Sequence, residues 1–198
     1  MRTVLAAQGL ALACALGVPR AAAERGSLAS PRAEQSSSPQ LKREDVQAPT
    51  YVAEFTPGQA LPLVLETIRG ARSTLLVAAY SFTSKPVAAA LRDAHRRGVQ
   101  VLVVVDAAEA AKGYSAARFL ANQQIPVRIN GRYALQHNKF IVADGTVVQT
   151  GSFNYTSSAA GRNAENVLVV RDVPALGAKY TQEWRRLWNE GSDLSPAY

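Results

Sequence analysis

The run Gln136-His-Asn-Lys-Phe-Ile-Val-Ala-Asp144 decides how this chain is interpreted, because it combines a histidine and a lysine with an apolar, β-rich stretch. Successive side chains of a β-strand point to opposite faces of its sheet. A strand over residues 137–143 would therefore place His137 and Lys139 on one face, roughly 6.5 Å apart along the strand. Phe140 would lie on the other face, towards a core.

The run Gly151-Ser-Phe-Asn154 adds two neutral hydrogen-bond donors to this picture. A second strand over residues 146–151 would carry Ser152 and Asn154 to the place where His137 lies. Reaction at an anionic phosphodiester requires a nucleophile or acid–base group, a fixed cation and donors that bind the phosphate oxygens. The two runs together therefore predict phosphoryl-transfer chemistry.

The spacing of these residues resembles the signature of the phospholipase D superfamily, which reads H-x-K, four residues, D, six residues, G-S-x-N. The chain matches it without gap or substitution at His137, Lys139, Asp144, Gly151, Ser152 and Asn154. Further stretches resemble the short, single-motif bacterial endonucleases of that superfamily, namely Ala79–Ser84, Gly98–Asp106 and Asn163–Asn166. The resemblance spans roughly Tyr51 to Trp188. It implies an α/β fold, a phospholipase D-like mixed β-sheet sandwiched between helices in a single domain.

The first 23 residues are typical of a secretory signal peptide that is cleaved from the mature protein. Arg2 gives a thin positive start, Val4–Val18 is apolar, and Ala21–Ala23 supplies small residues for cleavage. Cleavage predicts a periplasmic or secreted protein, and the alternative is a protein tethered to a membrane by its uncleaved N-terminus. The only cysteine is Cys14. Cys14 would be removed with the signal peptide, so the mature protein has no disulfide framework that would support export to an oxidising compartment.

Residues 24–49 are rich in Ser, Pro, Gln and charged side chains and are predicted to form a disordered linker. A nuclease domain is predicted over residues 50–198. The full chain has a net charge of +7, and cleavage after Ala23 removes two arginines and no acidic residue, which leaves +5. A basic excess favours a polyanionic partner. Many soluble proteins carry the same charge, so charge alone does not establish nucleic-acid binding.

Strand-like and helix-like periodicities alternate from Tyr51 onwards. The predicted strands are 51–55, 74–82, 99–105, 127–129, 137–143, 146–151 and 166–170, and the predicted helices are 59–69, 85–97, 115–123 and 174–189. Several strands are apolar throughout, which is typical of strands buried on both faces. Pro57 and Pro86 suit the first turns of helices. The pattern predicts an α/β sandwich, with a core stripe on the last helix at Tyr180, Trp184, Leu187 and Trp188.

His137 is the predicted nucleophile, because a neutral imidazole can attack phosphorus and form a phosphohistidine. One imidazole cannot also protonate the leaving alkoxide in the same step. The other histidine, His95, lies near a predicted helix end and is interpreted as structural. This shortage predicts a homodimer in which a two-fold axis brings a second copy of His137 into the site. The superfamily resemblance implies the same arrangement.

The remaining motif residues have predicted roles around the phosphate. Lys139 would bind its non-bridging oxygens, and Asn154 would stabilise the charge that develops on them. Ser152 either donates to phosphate or is an ordinary turn residue. Glu165 is the candidate for orienting a histidine through its second ring nitrogen, the alternative being a solvent-facing acid. Asp144 belongs to the signature, but its place in an Asp-Gly turn favours a structural role over direct catalysis.

No metal or other cofactor is expected, because no carboxylate cluster adjoins the motif and the two histidines are distant in sequence. Asp106, at a strand end, is the acidic residue considered as an exception and is predicted to cap a helix or turn instead. Arg128, Arg132 and Tyr133 stand just before the motif. They are predicted to contact the backbone or a base of a nucleic acid.

The sequence therefore predicts an exported, metal-independent phosphodiesterase, a non-specific endonuclease that hydrolyses DNA and whose substrates can extend to RNA. A phospholipid such as cardiolipin is the alternative substrate, because the signature recognises a phosphodiester and not the groups attached to it. The mature sequence contains no evident amphipathic helix for membrane insertion, which disfavours lipid. A non-catalytic nucleic-acid-binding module is the third interpretation.

Overall fold

Eight strands and six helices make up residues 48–196, the part of the chain that this computed structural model describes. The strands are β1 (Thr50–Thr56), β2 (Thr74–Ala79), β3 (Gln100–Asp106), β4 (Val127–Asn130), β5 (Phe140–Ala143), β6 (Val147–Gly151), β7 (Glu165–Arg171) and β8 (Ser192–Asp193). The helices are α1 (Ala60–Gly70), α2 (Lys85–Arg96), α3 (Ala107–Ala110), α4 (Ala116–Asn122), α5 (Ser157–Gly161) and α6 (Pro174–Glu190). The predicted signal peptide at 1–23, and the predicted linker at 24–49 apart from its last two residues, lie outside the described residues.

The strands form a single mixed sheet in the order β1-β7-β6-β5-β2-β3-β4-β8. Strands β2, β3 and β4 run parallel to one another, and every other neighbouring pair is antiparallel. Strand β5 pairs with β2 so that Phe140 lies opposite Ala78. The residues that precede Phe140 therefore lie beside the carboxyl ends of β2 and β3.

Helices cover both faces of the sheet, as predicted. Helices α1, α2 and α4 bury the larger core, in which Ile141 of β5 takes part. Helix α6 covers the opposite face, where Trp184 and Leu187 pack against Phe140. The indole Nε1 of Trp184 donates a hydrogen bond of 3.0 Å to the carbonyl oxygen of Val77 in the centre of the sheet. Strands buried on both faces explain the continuous apolar runs in the sequence, and the predicted core stripe on the last helix is confirmed.

Side-chain caps start several helices at polar residues. Ser84 caps α2, with Pro86 in its first turn as predicted, and Thr156 caps α5. Asp106 caps α3 by accepting a hydrogen bond of 3.0 Å from the backbone N–H of Glu109, so the cap predicted there is confirmed. Pro57 lies in a turn before α1 and not in its first turn. Among residues 48–196, no helix has the length and apolar character needed to cross a membrane.

The motif strands are shorter than predicted, and this changes the site. Strand β5 begins at Phe140, so residues 137–139 belong to the preceding loop and the predicted strand 137–143 is wrong in its first half. Strand β2 ends at Ala79 instead of residue 82. Beyond its end, Phe82 forms an isolated bridge to Tyr155. The functional residues therefore lie on loops at one end of the sheet, each held by contacts distant in sequence.

Candidate active site

Gln136 fixes the loop that carries the histidine. Its side chain is 1% exposed, its backbone N–H donates a hydrogen bond of 2.9 Å to Asp106 Oδ2, and its Nε2 donates to the carbonyl oxygen of Ala79 at 3.2 Å. Its Oε1 accepts a hydrogen bond of 2.8 Å from the backbone N–H of Asn138. These bonds replace strand pairing, and they hold His137 at the carboxyl ends of β2 and β3.

His137 and Lys139 lie in different environments and do not share one strand face. The imidazole of His137 is on an exposed residue and packs on the ring of Tyr80, with ring centroids 4.6 Å apart at 55°. Lys139 is 7% exposed. Its Nζ donates a hydrogen bond of 2.6 Å to the carbonyl oxygen of His137 and lies 5.2 Å from the centroid of the Tyr80 ring. Tyr80 therefore contacts both motif residues.

The ammonium of Lys139 is the buried charge of the site. Burial lowers the pKa of Lys139, and the negative charge of Glu165 opposes that shift only in part. A buried lysine is costly to charge in isolation. A phosphate anion next to it would favour the charged form, so the environment of Lys139 suits an anionic ligand.

The Gly151-Ser-Phe-Asn154 run is pressed against β7. A Cβ on Gly151, whose φ is +149°, would lie 2.2 Å from the carbonyl oxygen of Asn166, so only glycine fits. The backbone N–H of Asn166 donates to Ser152 Oγ at 3.1 Å. The carbonyl oxygen of Tyr155 accepts hydrogen bonds of 2.8 Å from the backbone N–H groups of residues 83 and 84. These contacts bring Ser152 and Asn154 to the end of β2, where Tyr80 begins the loop.

Asn154 carries an unsatisfied polar atom. Its Oδ1 is buried and accepts no hydrogen bond from any residue in the described part of the chain. Most buried side-chain polar atoms in proteins have a partner, and a catalytic or binding role is one explanation for an exception. The Oδ1 atom of Asn154 therefore lies in the motif region with its hydrogen-bonding capacity unoccupied by the described residues.

Glu165 contacts Ser152 but no histidine of the same chain. Thr56 Oγ1 accepts a hydrogen bond of 2.9 Å from the backbone N–H of Glu165 and so fixes the start of β7. The carboxylate accepts from Ser152 Oγ at 2.6 Å and from Asn163 Nδ2 at 2.8 Å. Within residues 48–196, neither ring nitrogen of His137 has a hydrogen-bond partner. The predicted contact between Glu165 and a histidine stays a prediction.

Asp144 lies at the opposite end of β5 from Lys139. Its carboxylate accepts backbone hydrogen bonds of 2.9, 2.8 and 2.9 Å from Arg72, Ser73 and Thr74, and another of 2.8 Å from Ser73 Oγ. Burial raises the pKa of the Asp144 carboxyl, but these hydrogen bonds outweigh that effect and hold the pKa below its usual value. The geometry ties the β5–β6 turn to the start of β2, which is a structural role.

An acid–base cluster that the sequence did not indicate surrounds the Tyr80 hydroxyl. Burial and the negative charges of Glu109 and Asp106 raise the pKa of Tyr80. Burial also raises the pKa of Glu109, but hydrogen-bonding interactions with Lys112, Ser81 and Tyr80 leave that pKa below its usual value. Only the position of Tyr80 within a stretch resembling family sequences could have drawn attention to it. Glu109 and Lys112 carry no pattern that links them to the motif.

The three residues predicted to contact a nucleic acid lie in different environments. Arg128 contacts the C-terminal part of the fold: its Nη1 donates to the carbonyl oxygen of Trp188 at 2.8 Å, and its Nε pairs with Asp193 at 2.9 Å. These contacts engage the guanidinium within the fold, and its predicted role in substrate binding stays a prediction. Arg132 has a 67% exposed side chain, which pairs with Glu190 at 3.8 Å. Tyr133 is 39% exposed and donates a hydrogen bond to Glu190.

A cavity of about 320 Å³ opens beside the histidine, and it is lined by Tyr133, Leu135, His137, Asn138 and Arg186 among others. It joins the exposed imidazole to the surface on which Tyr133 and Arg186 lie, where Arg186 pairs with Glu183 and Glu190. Across residues 48–196, no three His, Cys, Asp or Glu side chains converge in a way that could hold a metal ion.

A family model described as "Cardiolipin synthase, PLD-like domain" matches residues 64–188. A phospholipase D from Rickettsia bellii is 37% identical over 131 residues, covering 66% of this chain and 65% of that protein. A mitochondrial cardiolipin hydrolase from Xenopus laevis is also 37% identical over 131 residues, covering 66% of this chain and 62% of that protein. The chain thus spans slightly less than two thirds of the length of these two relatives.

Solved structures show the same architecture. Nuc from Salmonella typhimurium, described as a phospholipase D family member, superposes with a TM-score of 0.73 and 36% identity, covering 75% of this chain and 99% of that one. NucT from Helicobacter pylori shares the fold, with a TM-score of 0.68, 20% identity, and coverage of 74% of this chain and 100% of that one. The single mixed sheet with flanking helices is that of Nuc. The chain therefore belongs to the phospholipase D superfamily of phosphodiesterases.

Proposed function

We propose that this phosphodiesterase is a metal-independent, non-specific endonuclease that hydrolyses DNA, with RNA as a second polymer to be tested. The choice of a nucleic acid rests on the sequence resemblance to the single-motif bacterial endonucleases of the superfamily, together with the similarity to Nuc, which extends over 99% of that chain at 36% identity. The basic net charge, +7 for the full chain and +5 after cleavage at Ala23, supports the choice, since phosphate contacts with cations supply most of the non-specific affinity for DNA. Arg186 adds a cation at the cavity beside His137.

The exposed imidazole of His137 is proposed to attack phosphorus, so that an N–P bond forms and the P–O bond to the leaving alkoxide breaks. An imidazolium on a second copy of His137 gives its proton to that alkoxide. Water then attacks the phosphohistidine, and the second imidazole, now neutral, takes the proton of the water. The N–P bond breaks, which restores His137 and releases a phosphomonoester. Lys139 and Asn154 bind the non-bridging oxygens throughout.

The second histidine would come from a homodimer. The chain contains two histidines. His95 lies in the last turn of α2, whereas His137 lies beside the carboxyl end of β2. An apolar patch formed by Tyr51, Phe55 and Leu168 is 66, 62 and 36% exposed on β1 and β7. Phe55 lies directly opposite Asn166, the residue that bonds Ser152, so the patch adjoins the motif. Burial of exposed apolar surface is a common basis of subunit association.

A phospholipid substrate is the alternative function. It is favoured by a specific observation, namely that a relative with 37% identity is a mitochondrial cardiolipin hydrolase. The site described above recognises a phosphodiester through His137, Lys139 and Asn154, and none of these groups distinguishes a nucleotide from a glycerolipid. Substrate choice would then depend on the surfaces around the site.

Incubation of the purified protein with plasmid DNA, RNA and cardiolipin vesicles in the presence of EDTA separates these functions. We expect DNA to be degraded by the wild-type chain and not by His137→Ala. Cleavage of lipid with no cleavage of nucleic acid would establish the alternative. Binding of DNA without turnover by either form would indicate a non-catalytic module, and loss of all activity with EDTA would contradict the metal-independent mechanism.

We also propose that the protein is exported to the periplasm or secreted, with its N-terminus cleaved after Ala23. The support is the apolar run Val4–Val18 followed by small residues. N-terminal sequencing of the protein recovered from each cell fraction tests this. A chain that begins at residue 1 or 2 in the membrane fraction would establish the uncleaved, membrane-tethered alternative.

A further inference from the structure

A second cavity lies between helices α2 and α4, outside the motif. We call it the α2–α4 pocket. It has a volume of about 430 Å³, within the range of small-molecule sites in proteins, and its walls include Thr83, Lys85, Arg92, Tyr114 and Phe119. None of these residues was assigned a role in the hydrolysis.

The walls of the α2–α4 pocket combine aromatic rings with cations. Tyr114 is 68% exposed and Phe119 is 40% exposed. Lys85 forms no salt bridge with any residue of the described chain, and Arg92 pairs only with its neighbour Asp93, at 2.7 Å. Aromatic side chains beside cations are the usual means by which proteins bind single-stranded nucleic acid, because bases stack on the rings while the cations contact phosphates.

The pocket connects to the catalytic groups along two paths. On one path, the ring of Tyr80 contacts His137, Glu109 interacts with Tyr80, and Lys112 bonds Glu109. Tyr114 follows Lys112 by two residues and is close enough to raise the pKa of its ammonium, after the larger effect of Glu109. A series of neighbouring side chains therefore leads from His137 through Tyr80, Glu109 and Lys112 towards Tyr114 in the wall of the α2–α4 pocket.

The second path runs through the Gly-Ser-x-Asn segment. The backbone N–H of Thr83 donates a hydrogen bond of 2.8 Å to the carbonyl oxygen of Tyr155, the residue next to Asn154. The backbone N–H of Ala116, at the start of α4, donates to the carbonyl oxygen of Phe82 at 2.8 Å. Both walls of the pocket are thus fixed to the loop that carries Tyr80.

We propose that the α2–α4 pocket binds a nucleotide that flanks the scissile phosphate, with its base against Tyr114 and Phe119 and its phosphate near Lys85. This inference rests on the proposed nuclease function and identifies a substrate subsite for it. Exposed rings offer a nucleobase a stacking surface, and Lys85 and Arg92 complement the charge of a nucleic-acid backbone. An acyl chain would gain nothing from the two cations.

Steady-state kinetics on two substrates tests the subsite. The first substrate is a single-stranded DNA oligonucleotide, which carries nucleotides that flank the scissile phosphate, and the second is bis-p-nitrophenyl phosphate, which carries none. For Tyr114→Ala we expect KM for the oligonucleotide to rise about tenfold, the effect of losing one stacked base. The increase should exceed any change with the small diester, and Tyr114→Phe, which retains the ring, should restore the wild-type KM.

Arg118→Ala is the matched control, because Arg118 is exposed on α4 next to Phe119 and does not line the pocket. Its KM for the oligonucleotide should equal that of wild type. A Tyr114→Ala/Lys85→Ala chain that retains the wild-type KM on an oligonucleotide that wild type cleaves would overturn the subsite and leave the nuclease function standing. A wild-type chain inactive on all nucleic acids would instead remove the proposed function. Weakened cleavage of cardiolipin vesicles with unchanged oligonucleotide kinetics would assign the pocket to lipid and also overturn the inference.

Discussion

At the scale of single residues, Tyr80 organises the site more than its sequence position indicates. Its ring lies between the exposed imidazole of His137 and the buried ammonium of Lys139, and Glu109 interacts with its hydroxyl. A ring that packs on the proposed nucleophile restricts the orientations available to that imidazole. We therefore infer that Tyr80 is a positioning residue, which acts through His137.

Replacement of Tyr80 should reduce turnover more than binding. For Tyr80→Leu we expect kcat to fall about ten- to a hundredfold with little change in KM, because a misplaced nucleophile loses its attack geometry. Tyr80→Phe retains the ring and should stay within about threefold of wild type, since it gives up only the interaction of its hydroxyl with Glu109. The measurement is kcat and KM on bis-p-nitrophenyl phosphate, together with the melting temperature of each variant. Equal losses in both variants would show that the hydroxyl, and not the ring, is the important group.

Among the elements of the described residues, the sequence predicted α1, α2, α4, α6 and the core strands, but not the short helices α3 and α5 or the ends of the motif strands. Alternation and apolar runs locate β2, β3 and β5, because those patterns arise from local geometry and burial. The loop at 136–139 depends instead on hydrogen bonds from Gln136 to Asp106 and Ala79, which are 30 and 57 residues away. Such contacts leave no periodic signal. The motif identified the candidate site residues, whereas the strand geometry assumed for His137 and Lys139 was wrong.

The turn between β5 and β6 should owe part of its stability to the charge of Asp144. Because hydrogen bonds hold the folded-state pKa of Asp144 below its ordinary value, its ionised form stabilises the fold above that value, and this contribution is lost as the pH falls through the folded-state pKa. We expect Asp144→Asn to lower the free energy of unfolding by about 1–2 kcal/mol at neutral pH. The difference in the free energy of unfolding between wild type and Asp144→Asn should become smaller at acidic pH.

Chemical denaturation at several pH values measures this difference. Asp172→Asn is the matched control, because Asp172 also has a positive φ, of 61° against 52° for Asp144, but accepts no hydrogen bond from the backbone of any described residue. Its substitution should change stability little at any pH. If the difference in the free energy of unfolding between wild type and Asp144→Asn stays constant down to strongly acidic pH, the charge of the carboxylate is not the source of that stability.

The close approach of β6 to β7 depends on Gly151. Alanine at this position would bring its Cβ to 2.2 Å from the carbonyl oxygen of Asn166 in a backbone region that favours glycine. We expect Gly151→Ala to lower the free energy of unfolding by more than about 2 kcal/mol. Gly70→Ala is the control, since nothing lies within 4 Å of the added Cβ at the end of α1, and it should be neutral or slightly stabilising. Similar denaturation midpoints for the two variants would contradict the close packing described here.

For the whole molecule, one motif per chain is the feature with the largest consequence. The fold brings His137, Lys139, Ser152 and Asn154 to one end of the sheet, yet no second histidine of the described residues joins them. The exposed apolar patch at Tyr51, Phe55 and Leu168 lies on the sheet face next to this region. The length and charge of the chain could not predict the position of that patch. The patch is exposed because α6 covers the central strands of that sheet face but not β1 and β7.

If the site needs His137 from both subunits, the activity of a mixture of wild-type and mutant chains should be proportional to the square of the fraction of wild-type chains. When wild type and His137→Ala are mixed in equal amounts under conditions of subunit exchange, about one quarter of the dimers contain two histidines, so activity should fall to about one quarter of that of the same total amount of wild-type protein. Subunits that act alone would retain about one half. Phe55→Asp, which places a charge in the apolar patch, should lower both the mass measured by light scattering and the activity, because it separates the subunits. A fully active monomer would contradict the shared site, whatever the substrate.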